Sequence, residues 1–242
     1  MTRLFNGIVA FGSALLLTVT LIGAGFAAVA IPDAATATLS RAYSDCDQPD
    51  TPFTADELAS MAIAGKRYTF DDNDREKLDA AIAEANAAAE ADGRASASTR
   101  ESAARSLPAD AISHLDDVYR VACVAKPALA IVAALCIAGL AHVAVRIGRR
   151  ALGRTLMAGG GLVLAAFCAL GAWAAIDFDG LFAAFHSLFF QAGTWTFPYD
   201  SLLITLYPTA FWMGMGGIWL AVTCIASIIC IIVGRLLRSE SK

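Results

Sequence analysis

Long apolar runs alternate with polar segments along this chain, and four of the runs are long enough to cross a membrane. They cover approximately Leu4–Ala30, Ala125–Val145, Leu156–Ile176 and Leu202–Leu237. A transmembrane helix needs roughly 20 apolar residues. Within the last run, Pro208 predicts a break before the span. The pattern therefore predicts an all-α membrane protein, with four transmembrane helices and a small extracytoplasmic domain that is mainly helical and loop-rich.

The apolar runs divide the chain into alternating membrane and surface segments. In chain order they are transmembrane helix 1 (1–30), the extracytoplasmic domain (31–124), transmembrane helix 2 (125–145), a basic cytoplasmic link (146–155), transmembrane helix 3 (156–176), an outer interfacial loop (177–201), and transmembrane helix 4 with a cytoplasmic tail (202–242). The first run exceeds the roughly 7–15 apolar residues of a signal peptide. This favours a retained anchor, although Ala28-Val29-Ala30 offers a cleavage motif.

Basic residues beside the runs predict the orientation. They precede the first run, fill the link between the second and third, and follow the fourth: Arg3; Arg146, Arg149, Arg150 and Arg154; Arg235, Arg238 and Lys242. In a four-span protein all three groups fall on one face, and short basic segments mark the cytoplasmic side. We therefore expect a multi-pass membrane protein with both termini in the cytoplasm.

Charge is unevenly divided between the two faces. Residues 31–124 hold 18 Asp and Glu against 9 Lys and Arg, a formal charge of −9, whereas the whole protein carries −4. An acidic outer domain argues against a nucleic-acid partner. A composition that is 57% hydrophobic and 17% charged excludes an ordinary soluble domain.

Helix signals organise the outer domain. Thr54 and Glu57 have the spacing of a capping box. Residues 74–91 are rich in alanine and charge, with Leu78 and Ile82 four apart, which predicts a solvated helix with a thin apolar stripe. Asp110 is the predicted N-cap of a helix that continues toward the second span.

Cysteine and glycine patterns do not indicate a cofactor. Cys-x-x-Cys, His-Glu-x-x-His and phosphate-binding glycine motifs are all missing from the sequence. Cys46 and Cys123 both lie in segments predicted to be outside, where an oxidised pair is chemically allowed. We expect neither a cofactor nor a metal.

The three histidines differ in their neighbours. His114 precedes Asp117 by three residues, so on a helix the carboxylate could orient the imidazole. His186 lies among aromatic residues in the outer loop, with Asp177, Asp179 or Asp200 as possible partners. His142 adjoins the basic link and is expected to be an interfacial residue without a catalytic role. The first two histidines form a candidate acid–base pair at the outer membrane surface.

The two outer motifs also resemble a known family. They are His114-Leu115-Asp116-Asp117-Val118, and Phe185-His186-x-x-Phe189-Phe190 continuing through Trp195 and Asp200 to Tyr207-Pro208 and Phe211-Trp212. Together with their separation of 72 residues, they resemble the bacterial lipoprotein intramolecular transacylase (Lit) family and its four-span membrane relatives. The resemblance covers roughly residues 107–122 and 177–213 and the four-span layout.

This resemblance implies an enzyme that moves the sn-2 acyl chain of a lipoprotein's diacylglyceryl-cysteine to the cysteine α-amine. His114 and His186 would be the catalytic histidines, with Asp117 assisting His114. The residues expected to contact the substrate are Phe189, Trp195, Asp200 and Tyr207. The implied partners are the diacylglyceryl N-terminus of a lipoprotein and membrane lipid.

Acid–base chemistry is compatible with this reaction. A base must take the amine proton and an acid must protonate the departing glycerol oxygen, and two histidines can share these tasks without a cofactor. Because both must reach the reacting atoms, we expect imidazoles about 3–8 Å apart. Two alternatives remain open: a metal-dependent hydrolase that uses His114, Asp117 and His186 as ligands, and a membrane scaffold whose acidic domain binds a partner.

Overall fold

The computed structural model describes residues 2–46, 51–94 and 104–239, and in this part of the chain all regular secondary structure is helical. The helices are α1 (Thr2–Ala30), α2 (Asp33–Tyr43), α3 (Ala55–Phe70), α4 (Arg75–Ala91), α5 (Ala109–His142), α6 (Arg149–Ile176), α7 (Phe178–Ser187), α8 (Leu202–Leu206) and α9 (Thr209–Ser239), with a π-helical turn at Val143–Ile147 after α5. Lys242, from the basic residues considered above, lies outside the described residues.

Helices α1, α5 with its π turn, α6 and α9 are long and apolar enough to cross a membrane. The predicted all-α, four-span fold is thereby confirmed. Helix α5 also begins 16 residues before the second apolar run, at Ala109. We treat Ala125–Val145 as its membrane-spanning part, because the preceding segment contains Asp110, His114, Asp116, Asp117 and Arg120. His114 therefore lies in the polar first half of a long helix.

The chain forms two compact units. The membrane unit comprises Met1–Val29, Ala125–Leu181 and Ile218–Lys242, and the site unit comprises Ala30–Val124 and Phe182–Gly217. In the membrane unit, small residues allow helices to approach closely. A Cβ at Gly234 would lie 2.6 Å from the carbonyl oxygen of Gly153, so α6 and α9 are in backbone contact there.

The site unit has its own hydrophobic core. Leu58 and Met61 of α3, Leu78 of α4, Leu115 of α5 and Leu202 of α8 are all buried in it. The predicted apolar stripe of α4 supplies part of this core, because Leu78 and Ile82 are both buried. Burial of Leu115 fixes the rotation of α5 immediately beside His114.

The caps agree with the sequence at α3 and differ at α5. Thr54 and Glu57 form the predicted capping box, each side chain accepting a hydrogen bond from the other's backbone N–H. The predicted N-cap role of Asp110 is wrong, since α5 begins at Ala109 and Ile112 donates to the carbonyl of Pro108. Asp110 lies inside the first turn, where its carboxylate is still favourable beside the helix N-terminus.

Candidate active site

The fold brings His114 and His186 together within the site unit. His114 is on the polar half of α5, and His186 is the second-last residue of α7. Their ring centroids are 6.3 Å apart, with the planes inclined by 30°. This separation lies within the range predicted from acid–base chemistry. One substrate functional group can therefore reach both imidazoles.

Asp116 anchors the turn that carries His114. Its carboxylate accepts hydrogen bonds from the Tyr68 hydroxyl, at 2.5 Å, and from the Asn73 amide, at 3.4 Å. Burial, followed by the bond to the Asp116 carboxylate, raises the pKa of Tyr68 to about 12, so the phenol remains a donor. Together with the burial of Leu115 in the core, these bonds hold the turn of α5 that carries His114.

The hydrogen bond of His186 determines its tautomer. Its Nδ1 lies 2.9 Å from the carbonyl oxygen of Phe182, one turn earlier in α7. A carbonyl oxygen can only accept, so Nδ1 carries the proton. The lone pair of the neutral ring is then on Nε2. His186 is thus oriented as a base, with Nε2 as the atom that accepts a proton.

Aromatic rings surround the two imidazoles. Phe190 and Phe197 contact His114 at centroid distances of 4.9 and 5.5 Å. Phe182 and Trp195 contact His186 at 4.0 and 4.9 Å. We call these four residues the aromatic enclosure. It removes water from the histidines, and this changes their titration.

Both histidines are held neutral. Burial, assisted by the neighbouring His186, lowers the pKa of His114 to about 4, against a smaller opposite effect of Asp117. Burial also lowers the pKa of His186, and its bond to the Phe182 carbonyl opposes this only in part. At neutral pH each ring therefore offers one N–H and one lone pair. The site begins with two potential bases and with neither imidazole protonated.

Two buried polar atoms at this site have no hydrogen-bond partner: Nδ1 of His114 and Nε1 of Trp195. An indole N–H can only donate, and leaving it buried without an acceptor costs free energy. Such atoms are uncommon in folded proteins, and each needs a structural or functional explanation. Here one atom belongs to a histidine of the pair, and the other belongs to Trp195, whose ring contacts His186.

Each of the other predicted site residues has a different environment. Asp117 forms an ion pair with Arg120 and makes no hydrogen bond to His114. Phe189 is half exposed and packs against Phe185. Asp200 is exposed in a turn after α7. The Tyr207 hydroxyl donates to the carbonyl of Ala62 at 2.6 Å, which places its polar atom in the domain core.

Asp177 and His142 make other contacts. Asp177 caps α7, where its carboxylate accepts from the Gly180 N–H. His142 belongs to the membrane unit, with its ring against Phe5 at 5.9 Å. Cys46 and Cys123 are not joined by a disulfide bond. Within residues 2–46, 51–94 and 104–239, three His, Cys, Asp or Glu side chains never come close enough together to hold a metal ion.

Sequence reasoning missed Asp116 and Tyr68. Asp117 shares a helix face with His114 and so attracted attention, whereas Asp116 points to the opposite side, toward α3. The sequence offered one signal, the apolar residue Leu115 between His114 and Asp116. It predicts that this part of α5 packs against a neighbour, which the adjacent Asp116 carboxylate can then contact. Phe190 and Phe197 belonged to the recognised aromatic loop, but their contacts with His114 follow only from the fold.

Comparison with known proteins gives a family model and a set of solved structures. The family model of the lipoprotein intramolecular transacylase Lit matches residues 94–212, which include both histidines. The in meso crystal structure of Lit from Bacillus cereus is 16% identical, with a TM-score of 0.74 over 98% of this chain and 97% of that one. Two structures of that protein with one histidine replaced by arginine or alanine are also 16% identical, each with a TM-score of 0.70. They cover 99% of this chain and 94% and 96% of their own. No curated protein matches this sequence.

Proposed function

Because the family model of the lipoprotein intramolecular transacylase Lit matches residues 94–212, we propose that this chain is a membrane-embedded acyltransferase of lipoproteins. It transfers the sn-2 acyl chain of a diacylglyceryl-cysteine to the α-amine of the same cysteine. The product is an N-acyl cysteine with a monoacylglyceryl thioether. The observation that carries the proposal is the pair of neutral imidazoles, 6.3 Å apart, inside an aromatic enclosure.

His186 is the base in this mechanism. A free α-amine has a pKa of about 7.7–8.0, so part of the substrate is unprotonated at neutral pH. As the amine nitrogen attacks the ester carbon, the C–N bond forms, the carbonyl π electrons move to oxygen, and a proton passes from nitrogen to Nε2 of His186. The bond from carbon to the glycerol oxygen then breaks, and a proton is returned to that oxygen.

His114 completes the proton balance. Because both rings are neutral at the start, the acid that protonates the glycerol oxygen arises only when a histidine has accepted the amine proton. His114 lies near enough to hydrogen bond to the departing oxygen while His186 holds the proton. Charge appears only transiently in a site that disfavours it. Amine and ester belong to one molecule, which supplies proximity without a second binding event.

Trp195 provides the third polar contact. In the tetrahedral intermediate the former carbonyl oxygen carries negative charge and needs a donor. The Trp195 N–H is buried, has no acceptor, and belongs to a ring in contact with His186. We assign it as the donor to this oxyanion. The mechanism assigns no reacting atom to Phe189, Asp200 or Tyr207. We propose that Phe189, which is half exposed, contacts the acyl chain.

The proposed topology places this site at the outer face of the cytoplasmic membrane, with both termini inside. Support comes from the arginines beside the spans, all of which would face the cytoplasm. In this topology the polar first half of α5 would lie near the headgroup boundary, where the ester of an outer-leaflet lipid is found. Partners are therefore the lipoprotein N-terminus and the surrounding lipid, and the charge of −9 on residues 31–124 makes a nucleic acid unsuitable.

The structure does not favour either alternative. A metal-dependent hydrolase would need Asp117 as a third ligand, but its carboxylate is paired with Arg120. A scaffold would have no use for two buried unpartnered polar atoms beside a histidine pair. Such atoms lower stability without a ligand, whereas an enzyme gains from them when the substrate binds.

The test is mass spectrometry of lipoproteins from bacteria that produce an N-terminally free diacylglyceryl lipoprotein, with and without this protein. We expect the fraction with an N-acyl chain and a monoacylglyceryl thioether to rise on expression. The same lipoprotein mass and the same amine reactivity in both strains, with the protein present in the membrane, would contradict the proposed function.

A further inference from the structure

Large apolar side chains are exposed where α7 ends, in the site unit. Leu188 is 76% exposed, and Phe185 and Phe189 are each about half exposed. We call these three residues the apolar rim. All ten residues of α7 are described, and none of them is buried, although most of them are apolar. Large apolar side chains exposed together commonly mark a surface that binds a hydrophobic partner.

Ring contacts connect the apolar rim to the histidine pair. Phe185 and Phe189 contact each other at a centroid distance of 5.2 Å, and Phe189 contacts Phe190 at 6.2 Å. Phe190 in turn contacts His114 at 4.9 Å and His186 at 5.8 Å. Phe185 also contacts His186 directly, at 5.7 Å. A continuous row of contacting rings therefore leads from the exposed surface to both imidazoles.

The surroundings of the histidine pair are of two kinds. One turn after His114, α5 carries the ion pair of Asp117 with Arg120. Covering charged groups with hydrocarbon costs free energy, so this surface suits the glycerol and peptide parts of a lipoprotein. The reacting ester joins both kinds of group, because its alkyl chain begins at the carbonyl carbon and its glycerol at the single-bonded oxygen. The rings and the apolar rim suit the alkyl chain.

We infer that the apolar rim binds the acyl chain that is transferred, and that it makes the reaction selective for long chains. This inference rests on the proposed function, since it concerns the acyl donor of that reaction. Each methylene removed from water contributes favourable free energy. A long chain gains this contribution on the rim, whereas a short chain ends within the aromatic enclosure. Lipid of the bilayer and a second copy of the protein are the alternative occupants of the rim, and the experiment separates them from the acyl chain.

The experiment uses the full-length protein in detergent and two diacylglyceryl lipopeptides that differ only in the sn-2 chain, which is hexadecanoyl or butanoyl. The rim variant is Leu188→Gln, at the most exposed of the three positions. Its control is Tyr43→Gln, which removes an exposed ring at the end of α2. We expect the wild type to have a kcat/KM about tenfold or more higher for the hexadecanoyl substrate. Leu188→Gln should reduce this ratio by about three- to tenfold, and Tyr43→Gln should change it by less than about twofold. Leu188→Met restores an apolar side chain and should restore the ratio.

Binding without turnover separates this inference from the proposed function. Analogues with an sn-2 ether in place of the ester cannot react, so their dissociation constants measure chain selectivity directly. Tighter binding of the hexadecyl than of the butyl analogue, with a smaller difference in Leu188→Gln, supports the rim. If the same preparation then transfers no acyl chain from the ester substrates, the proposed function fails and the binding surface stands.

Three results would overturn the inference. An unchanged chain-length ratio in Leu188→Gln would show that the acyl chain does not contact the rim. An equal loss for both chain lengths would show that bilayer lipid covers the rim or that the substitution alters the fold. A chain-length ratio that changes with protein concentration would show that a second copy of the protein covers it.

Discussion

His142 and the His114–His186 pair occupy different units yet look alike at first sight. Nε2 of His142 and Nδ1 of His114 are both buried without a hydrogen-bond partner, and both rings contact aromatic side chains. The two histidines differ in the side chains around them. His114 has a second imidazole at 6.3 Å and an unpartnered indole N–H beside that ring, whereas the aromatic contact of His142 is with Phe5. An unpartnered nitrogen is thus weak evidence for a site until a second reactive group shares its surroundings.

Replacing either histidine of the pair should have the largest effect on acyl transfer. His186→Ala and His114→Ala should each reduce N-acyl lipoprotein by about 10²–10⁴-fold, because a positioned general base contributes that much. His142→Ala is the matched control and should stay within about twofold of the wild type. Lipoprotein mass spectrometry at equal membrane levels of the variants measures this, and equal damage from His142→Ala and His186→Ala would refute the assignment.

Removing the indole donor should have the next largest effect. Trp195→Phe keeps an aromatic ring against His186 but deletes the N–H, and loss of one oxyanion donor costs about 10²-fold in kcat. Trp212→Phe is the control, since Trp212 lies in the same aromatic cluster and contacts Phe182 rather than His186. Steady-state kinetics on a diacylglyceryl lipopeptide should show the loss in kcat with little change in KM; a loss confined to KM would make Trp195 a binding residue only.

Stability should depend on pH through His114. Its pKa is about 4 in the folded protein, below the ordinary value of 6.5, so the unfolded chain binds the proton more readily. The contribution of His114 is fully present above pH 6.5 and is lost as pH falls toward 4, by up to about 3 kcal/mol.

Thermal unfolding in detergent between pH 4 and pH 7 measures this dependence. His114→Asn cannot titrate, so its curve should be flatter than that of the wild type, whereas His142→Asn leaves the pair intact and should keep the wild-type slope. If His114→Asn and the wild type lose stability equally on acidification, His114 is not held neutral by burial.

The smallest effects concern the two carboxylates after His114. Asp116→Ala leaves the Tyr68 hydroxyl without its acceptor and should lower the free energy of unfolding by about 1–3 kcal/mol. Asp117→Ala removes an exposed ion pair with Arg120 and should cost less than about 1 kcal/mol. Denaturant unfolding of both variants provides the measurement. The opposite order would mean that Asp117, rather than Asp116, supports the histidine.

The membrane spans were predictable from the sequence, because the length and apolar composition of a run are themselves the properties that a membrane-spanning helix requires. The family resemblance suggested by the histidine motifs is supported by the family model of the lipoprotein intramolecular transacylase Lit, which matches residues 94–212. The Thr54–Glu57 capping box was also predictable, since it depends on residues three apart. The catalytic roles of His114, His186 and Asp117 remain predictions.

Other features depended on contacts distant in the chain. The bond from Tyr207 to Ala62 joins residues 145 apart, and that from Tyr68 to Asp116 joins residues 48 apart. The sequence shows that a side chain is polar, but local spacing does not show which buried acceptor it will contact. The low pKa of His114 likewise follows from burial by Phe190 and Phe197, which helix periodicity cannot reveal.

The aromatic enclosure also determines what becomes of the acyl chain. An ester activated beside a base can be attacked by water as readily as by an amine, and hydrolysis would release a free fatty acid and leave the lipoprotein with a bare amine. Phe182, Phe190, Trp195 and Phe197 contact the histidines and so limit the access of water to them. The tethered amine arrives with the ester and needs no entry path of its own. Under the proposed function, the aromatic enclosure thus favours acyl transfer over ester hydrolysis, because it selects the nucleophile without altering the chemistry.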